Sequence, residues 1–290
     1  MSFSLHRPSS MAEAVALARQ FGESARFIAG GTDLIIQINR KQQSPAHLID
    51  LNGLPGLAEI EETPHGFRIG ALTTHKTIER HPPFQGPLRA LAEAARVVGG
   101  HQVRNMGTVG GNIANASPAA DVVVPLLALD AEVSLVDPDG ARVLKLADLL
   151  LGPGHTARHT HEVIDGIAFA RLPAHSATAF LKAGRRKAME IAVVCVAARL
   201  TLDARGLCAE VGLALGAVNA MAMRATEAER VILGRLPGVE LFREAGRLAA
   251  QASRPISDVR ASVRYRHLLV QALVPRALQL CVDRIGEART

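Results

Sequence analysis

The sequence contains no tryptophan, one tyrosine and only 3% aromatic residues. Proteins that read nucleic acid stack bases on aromatic side chains set in a basic face, so that class is set aside despite a net charge of +6. The basic residues are dispersed, with two concentrations: Lys182, Arg185, Arg186 and Lys187, and Arg260, Arg264 and Arg266. Solvated faces, or contacts to an anionic cofactor or another subunit, account for them. Cysteine is scarce too. Cys195, Cys208 and Cys281 are odd in number and form no Cys-x-x-Cys pair. This argues against a disulfide framework, a zinc site or an iron–sulfur cluster in this chain, and it suits a reducing cytoplasm. Cys195 lies in the apolar run 191–200 and reads as a small core residue. There is no run of about 18 apolar residues and no secretory leader. A soluble protein is expected, peripheral to a membrane only through a partner.

What is present is an ordinary globular composition over 290 residues, 48% hydrophobic and 21% charged. That length supports one large domain or two to three compact ones, each with a real core. Ser10 and Glu13 form a capping box ahead of a helix over 11–21, ended by Gly22. A short buried strand at 26–29, a helix from about Asp33 and a strand at 47–51 predict a small parallel sheet. Thr63-Pro-His-Gly66 then predicts a hairpin between 57–61 and 67–70. Helices are predicted at 74–80 and 88–98, a glycine-rich loop over 99–121, and an apolar helix at 122–129. Asp137-Pro-Asp-Gly140 joins strands at 132–136 and 142–146, and another strand follows at 163–170. The pattern breaks at 172–176. Beyond it come strands at 179–183, 190–202 and 207–216, then helices at 226–233, 239–252 and 262–284, a separate α+β unit. The expected units are 1–54, 55–174 and 175–290.

Two glycine-rich segments carry the chemistry. The first is Phe27-Ile28-Ala29-Gly30-Gly31-Thr32-Asp33-Leu34. An apolar strand runs into two glycines, a hydroxyl, an acid and a helix. Glycine lets the backbone turn sharply and approach a ligand closely, and amides at a helix start point at anions. Thr32 has a hydroxyl to donate to a phosphate oxygen, and Asp33 either caps the helix or takes a ribose hydroxyl. The second segment runs from Arg104 to Asp121 and again sets a threonine, Thr108, before a glycine pair, Gly110 and Gly111. Asn112, Asn115 and Ser117 add neutral hydrogen-bonding groups, and Asp121 suits a ribityl or ribose hydroxyl. Neither segment is Gly-x-Gly-x-x-Gly or a P-loop. Spacing alone therefore gives an anion or dinucleotide site.

Ala-Gly-Gly-Thr-Asp-Leu at 29–34 and Thr-Val-Gly-Gly-Asn-Ile-Ala-Asn-Ala-Ser-Pro-Ala-Ala-Asp at 108–121 closely resemble the two FAD signatures of the molybdenum hydroxylase flavoprotein family. The resemblance extends through Arg104-Asn105, Leu-Leu-Ala-Leu-Asp-Ala at 126–131, Gly152-Pro153, residues 185–191 and Ala-Ser-Val-Arg-Tyr-Arg at 261–266, so it spans essentially the whole chain. It implies an α+β fold: a vanillyl-alcohol-oxidase-like (PCMH-type) FAD-binding domain of two subdomains, plus a C-terminal domain of a three-stranded sheet and helices. It places residues 27–34 along the FAD pyrophosphate and Thr108, Gly110, Gly111 and Asn112 on the cofactor's other side. Ala114 and Asp121 match positions at the adenosine and ribose end. Val98 and Gly99 match positions near the isoalloxazine ring, with Ile191 a further apolar contact. Val98 stands where some relatives place an aromatic, and the cysteine-rich insert of one branch is missing.

The resemblance implies non-covalent FAD in this chain, with a molybdenum cofactor in a large partner and 2Fe–2S clusters in a small one. Electrons then pass through FAD to NAD, a quinone or oxygen. That role demands no amino-acid acid or base, so no catalytic residue and no metal ligand is assigned. His75, His101, His155, His159 and His161 have mixed spacing and read as surface histidines. The basic group 182–187 either balances an anionic reduced flavin or faces solvent. Two rivals are a stand-alone FAD-dependent oxidoreductase and a non-enzymatic nucleotide-binding assembly protein.

Overall fold

The computed structural model describes residues 3–186 and 189–288. Lys187, counted in the basic group 182–187, lies outside them.

The first sheet is built from short, locally encoded pieces: β1 (Ser4–His6), α1 (Met11–Phe21), β2 (Ala25–Ile28), α2 (Leu34–Asn39) and β3 (His47–Asp50). The strands pair in parallel in the order β1-β3-β2. The Ser10 hydroxyl caps α1 by accepting from the Glu13 amide at 3.2 Å. The Glu13 carboxylate reaches back to the Ser9 amide and hydroxyl, both at 2.8 Å. Ala14, Val15 and Ala18 bury the inner face of α1 against Ile49 and Leu51. That is the i, i+4 stripe of an amphipathic helix.

The second unit comprises β4 (Ile60–Thr63), β5 (Gly66–Gly70), α3 (His75–Arg80), α4 (Arg89–Arg96), α5 (His101–Met106), α6 (Val109–Ala114), α7 (Val123–Ala128), β6 (Glu132–Asp137), β7 (Gly140–Lys145), α8 (Leu146–Leu149), β8 (Leu150–Gly152), β9 (His155–Thr156) and β10 (Val163–Ala170). Its main sheet is antiparallel in the order β4-β5-β10-β6-β7. The long return strand β10 lies at its centre. Ile69, Val133, Leu135 and Ile167 point from it into a core closed by α4 and α7.

The third unit comprises β11 (Ser176–Ala183), β12 (Val194–Leu202), β13 (Cys208–Gly216), β14 (Met223–Arg224), α9 (Thr226–Ile232), α10 (Val239–Ala252) and α11 (Val263–Glu287). Its sheet is antiparallel in chain order. Val194, Val196, Ala198 and Leu200 face α10 and α11. Cys195 and Ala197 face the other way, into the core of the second unit. This alternation is the period-2 signature of a sheet buried on both faces. No helix among the described residues is long and apolar enough to cross a membrane.

Three differences from the sequence reading matter. The stretch 99–121 is not a loop throughout, because it folds into α5 and α6. The glycines that suggested a loop sit at the helix boundaries, at Gly100 and Gly107, or in contact with a neighbour, as Gly110 does. The C-terminal sheet has three long strands and a two-residue fourth, β14. Finally, Gly152-Pro-Gly154 turns a small hairpin, β8 with β9, that periodicity did not reveal.

Candidate functional site

The two glycine segments meet at one edge, where Gly30 packs against Met106. β2 delivers the chain into Gly30 and Gly31, and Gly31 adopts φ +67°, a left-handed conformation that glycine takes without strain. A Cβ built on Gly30 would lie 1.8 Å from the Met106 carbonyl oxygen. Gly30 is thus required by the contact between the segments, independently of any ligand.

The second segment is held from behind by residues 71–75. The Gly110 amide donates to the Ala71 carbonyl at 2.8 Å, the Val109 amide to Thr73 at 3.0 Å, and the His75 amide to Gly107 at 3.0 Å. The Thr108 hydroxyl caps α6 by accepting from the Gly111 amide at 3.1 Å. The amides of Gly110 and Gly111 are therefore already used. Those of Gly31, Thr32 and Asp33 donate to no protein acceptor among the described residues. The first segment offers the anion-binding amides, and the second forms the opposing wall. A Cβ on Gly111 would meet only the Thr108 hydroxyl, at 3.0 Å, so its open side faces the space between them.

That space is one groove of about 550 Å³, within the range of small-molecule and cofactor sites. Of the residues predicted from sequence, Phe27, Ile28, Ala29, Gly30, Gly31, Thr32, Asp33 and Leu34 line it, with Val98, Thr108, Gly110, Gly111, Asn112 and Ala114 opposite. Gly99, Asp121 and Ile191 are not in its lining. Gly99 (φ +47°) shapes the turn behind Val98, and the Arg104 guanidinium holds the Val98 and Gly99 carbonyls at 3.2 Å each. Ile191 is exposed.

Asp121 is buried rather than open to a sugar hydroxyl. Its carboxylate pairs with Lys182 Nζ at 2.6 Å. Lys182 also donates to the carbonyls of Val97 at 3.1 Å and Glu190 at 2.8 Å. Burial pushes the Asp121 carboxyl up to about 6, against the opposing pull of Lys182. Of the basic group, Lys182 therefore neither faces solvent nor enters the groove. Arg185 donates to the Val259 carbonyl at 2.9 Å. Arg266 is also buried, bonded to the carbonyls of Val193 and Ala217 and to Asp258.

The histidine reading needs correction at one position. His75 is buried, only 2% exposed, at the groove wall. Burial, and then the nearby Arg104, lower it to about 4, so it is neutral at physiological pH. His155 stands at the groove rim, and His159 stacks on His161 at 5.7 Å. No cluster among the described residues could hold a metal ion.

Asp33 makes no capping bond to α2. Partial desolvation raises its carboxyl above the ordinary value. A raised folded-state value means that ionisation disfavours the folded chain. The cost is absent below the ordinary value of 3.8 and complete above the shifted one. Asp33→Asn is expected to raise the Tm of the ligand-free chain at pH 7, by no more than about 2 °C because the side chain is partly solvated. The same comparison at pH 3 should show no difference, which thermal unfolding at the two pH values checks.

Sequence reasoning missed Arg26, Gln37, Gln43, Thr156 and Arg158, all in the lining. Arg26 and Gln37 flank the first glycine segment and were within reach of an argument by proximity. Arg158 arrives through the unpredicted β8–β9 hairpin, and no spacing signal pointed to it.

Residues 1–172 match the family described as the FAD binding domain in molybdopterin dehydrogenase. Residues 179–281 match the CO dehydrogenase flavoprotein C-terminal domain. The chain is 32% identical over 287 residues to the nicotinate dehydrogenase FAD-subunit of Eubacterium barkeri, covering 98% of this chain and 97% of that one. It is 32% identical over 278 residues to the carbon monoxide dehydrogenase medium chain of Afipia carboxidovorans, covering 96% of each. Among solved structures, a chain of carbon monoxide dehydrogenase from Hydrogenophaga pseudoflava superposes with a TM-score of 0.94 at 32% identity, covering 98% of both chains.

Proposed function

Because the chain belongs to the family of FAD-binding subunits of molybdenum hydroxylases, we propose that its groove holds non-covalent FAD for electron transfer between partner subunits and an external acceptor. The chain is the flavoprotein component of an oxidoreductase. The fold is the expected one, an FAD-binding domain followed by the C-terminal domain of this family.

The observation that carries the site assignment is the convergence of both glycine segments on one groove. The residues present fit FAD. Open amides at Gly31, Thr32 and Asp33 suit a diphosphate, and Gly111 leaves the opposite wall without a side chain. The proposed contacts are the residues at 27–34 with Val98, Thr108, Gly110, Gly111, Asn112 and Ala114. Gly99 and Asp121, the latter through Lys182 and the Val97 carbonyl, act from behind the Val98 turn, with Ile191 a further apolar contact at the exposed surface. FAD, when bound, supplies the ability to accept electrons singly and release them in pairs. The protein's part is to bind and orient it and to screen it from water. The partners are a large subunit carrying the molybdenum cofactor and a small subunit carrying 2Fe–2S clusters. The acceptor is NAD, a quinone or oxygen, and the compartment is the cytoplasm. The units 1–54, 55–174 and 175–290 belong to this reading, supported by one sheet centred in each, although the apolar clusters cross the boundaries at Val163 and at Cys195 and Ala197.

Gly111→Leu should lower FAD affinity at least ~100-fold, as measured by fluorescence titration, because the side chain enters the groove. Leucine is a better helix former than glycine, so α6 itself should persist, and retained affinity would contradict the placement. The functional reading is tested by purifying the native complex and assaying metals, flavin and substrate-dependent dye reduction. Flavin bleaching by substrate is expected only with both partners present. Bleaching by this chain alone would instead favour a stand-alone flavoenzyme.

A further inference from the structure

We propose that Arg158 is a specificity residue that holds the purine ring of FAD's adenine half, so that the groove selects FAD over FMN. The proposal rests on the FAD reading above and adds a residue that the glycine signatures do not contain.

Arg158 lies between β9 and β10 and lines the groove. Its Nη1 donates to the carbonyls of His159 at 2.9 Å, Thr160 at 3.4 Å and Glu162 at 2.7 Å. These bonds fix the guanidinium in place 5.9 Å from the centroid of the Phe27 ring. Nε and Nη2 donate to no acceptor among the described residues, and neither atom is fully buried. Among the described residues, no carboxylate lies within ion-pairing distance of Arg158. The acid that acts on it, Glu162, already engages Arg142 at 2.5 and 2.9 Å and the His159 amide at 2.6 Å. Burial and the neighbouring Arg26 both disfavour the cation, and Glu162 offsets this only in part. A guanidinium fixed on one side, with open donors and a flat face, is suited to a planar, electron-rich group.

Position along the groove selects which group. Phe27, beside Arg158, precedes Gly30 by three residues, the strand ending at Ile28, so at most roughly 10 Å of chain separates them. The open amides for the diphosphate begin just beyond Gly30. That separation corresponds to a ribose carrying its base. The side-chain amides at this end suit the polar edge of a base. Gln43 accepts from Arg26 Nε at 3.0 Å and donates to Gln37 at 2.7 Å, and both glutamines line the groove. FMN lacks this half of the dinucleotide and has nothing to place there.

The test titrates the full ligand-free chain, wild type and variants, with FAD and with FMN, and measures ADP competition. Arg158→Ala should weaken FAD and ADP by about 10- to 100-fold and leave FMN binding unchanged. Arg158→Lys keeps a donor for the three carbonyls, and so protects the fold, but it lacks the flat face. It should lose nearly as much FAD affinity as the alanine variant. Unchanged FAD affinity in both variants overturns the proposal while leaving the FAD reading intact. Equal weakening of FAD and FMN, with rescue by lysine, overturns it in favour of a phosphate contact. A wild-type chain that binds no FAD overturns both readings.

Discussion

Gly30→Ala is expected to abolish FAD retention and to destabilise the ligand-free chain. The added methyl would lie 1.8 Å from the Met106 carbonyl oxygen and 2.5 Å from its carbon. Both are backbone atoms at the end of α5, so no side-chain rotation relieves the clash. One glycine segment must move away from the other. Overpacking of this kind typically costs about 1–3 kcal/mol, a Tm loss of several degrees for a chain of this size. The functional effect should exceed the stability effect. Parting the segments moves the open amides of residues 31–33 away from the wall formed by α6, and affinity should fall more than ~100-fold. Gly53→Ala is the control, because its Cβ would meet nothing within 4 Å. Differential scanning fluorimetry and FAD titration of the two variants check the prediction. Wild-type behaviour of Gly30→Ala would show that the segments do not meet as described.

The second large effect belongs to the buried pair Asp121–Lys182. Both side chains are less than a tenth exposed. Removing one partner of such a pair leaves an uncompensated buried charge, which costs on the order of 3–5 kcal/mol. Lys182→Met should therefore lower Tm at pH 7 by on the order of 10 °C. It should also release the Val97 and Glu190 carbonyls that the ammonium ties together, loosening the turn at Val98. The double variant Asp121→Asn with Lys182→Met should lose less than the sum of the single variants, since it leaves no buried charge.

The pH dependence has a definite sign. The wild-type Asp121 carboxyl is raised from 3.8 to about 6 by burial, so ionisation costs the folded state, fully above about pH 6 and not at all below 3.8. Without Lys182 that cost grows. The deficit of Lys182→Met should therefore be greatest near pH 7 and shrink as the pH falls through 6. A deficit that stays constant from pH 7 to 5 would mean that the pair is not what the substitution disrupts.

Much of this architecture was legible in the residues. Ser10 and Glu13 announced α1, and helices were predicted where α10 and α11 lie. The apolar run at 191–200 fell within the strand predicted at 190–202, which is β12. The glycine segments were legible as a site because their composition has few other uses. What escaped depends on contacts distant in sequence. Asp121 looked like a hydroxyl acceptor until Lys182, 61 positions away, closed over it. The glycines at 99–121 signalled a loop, whereas Gly110 packs against Ala71 and Gly30 against Met106, and neither partner is visible locally. Arg158 depends on a hairpin of two very short strands, too brief for any periodicity. His75 was read as a surface residue because nothing in its neighbourhood showed that α5 and the second glycine segment would bury it.

The most direct measurement is the identity and amount of flavin bound by the purified full-length chain, released by acid and resolved by chromatography. A single equivalent of intact FAD per chain, with no flavin left attached to the polypeptide, is the predicted result. A colourless chain that takes up no FAD on titration would contradict the account.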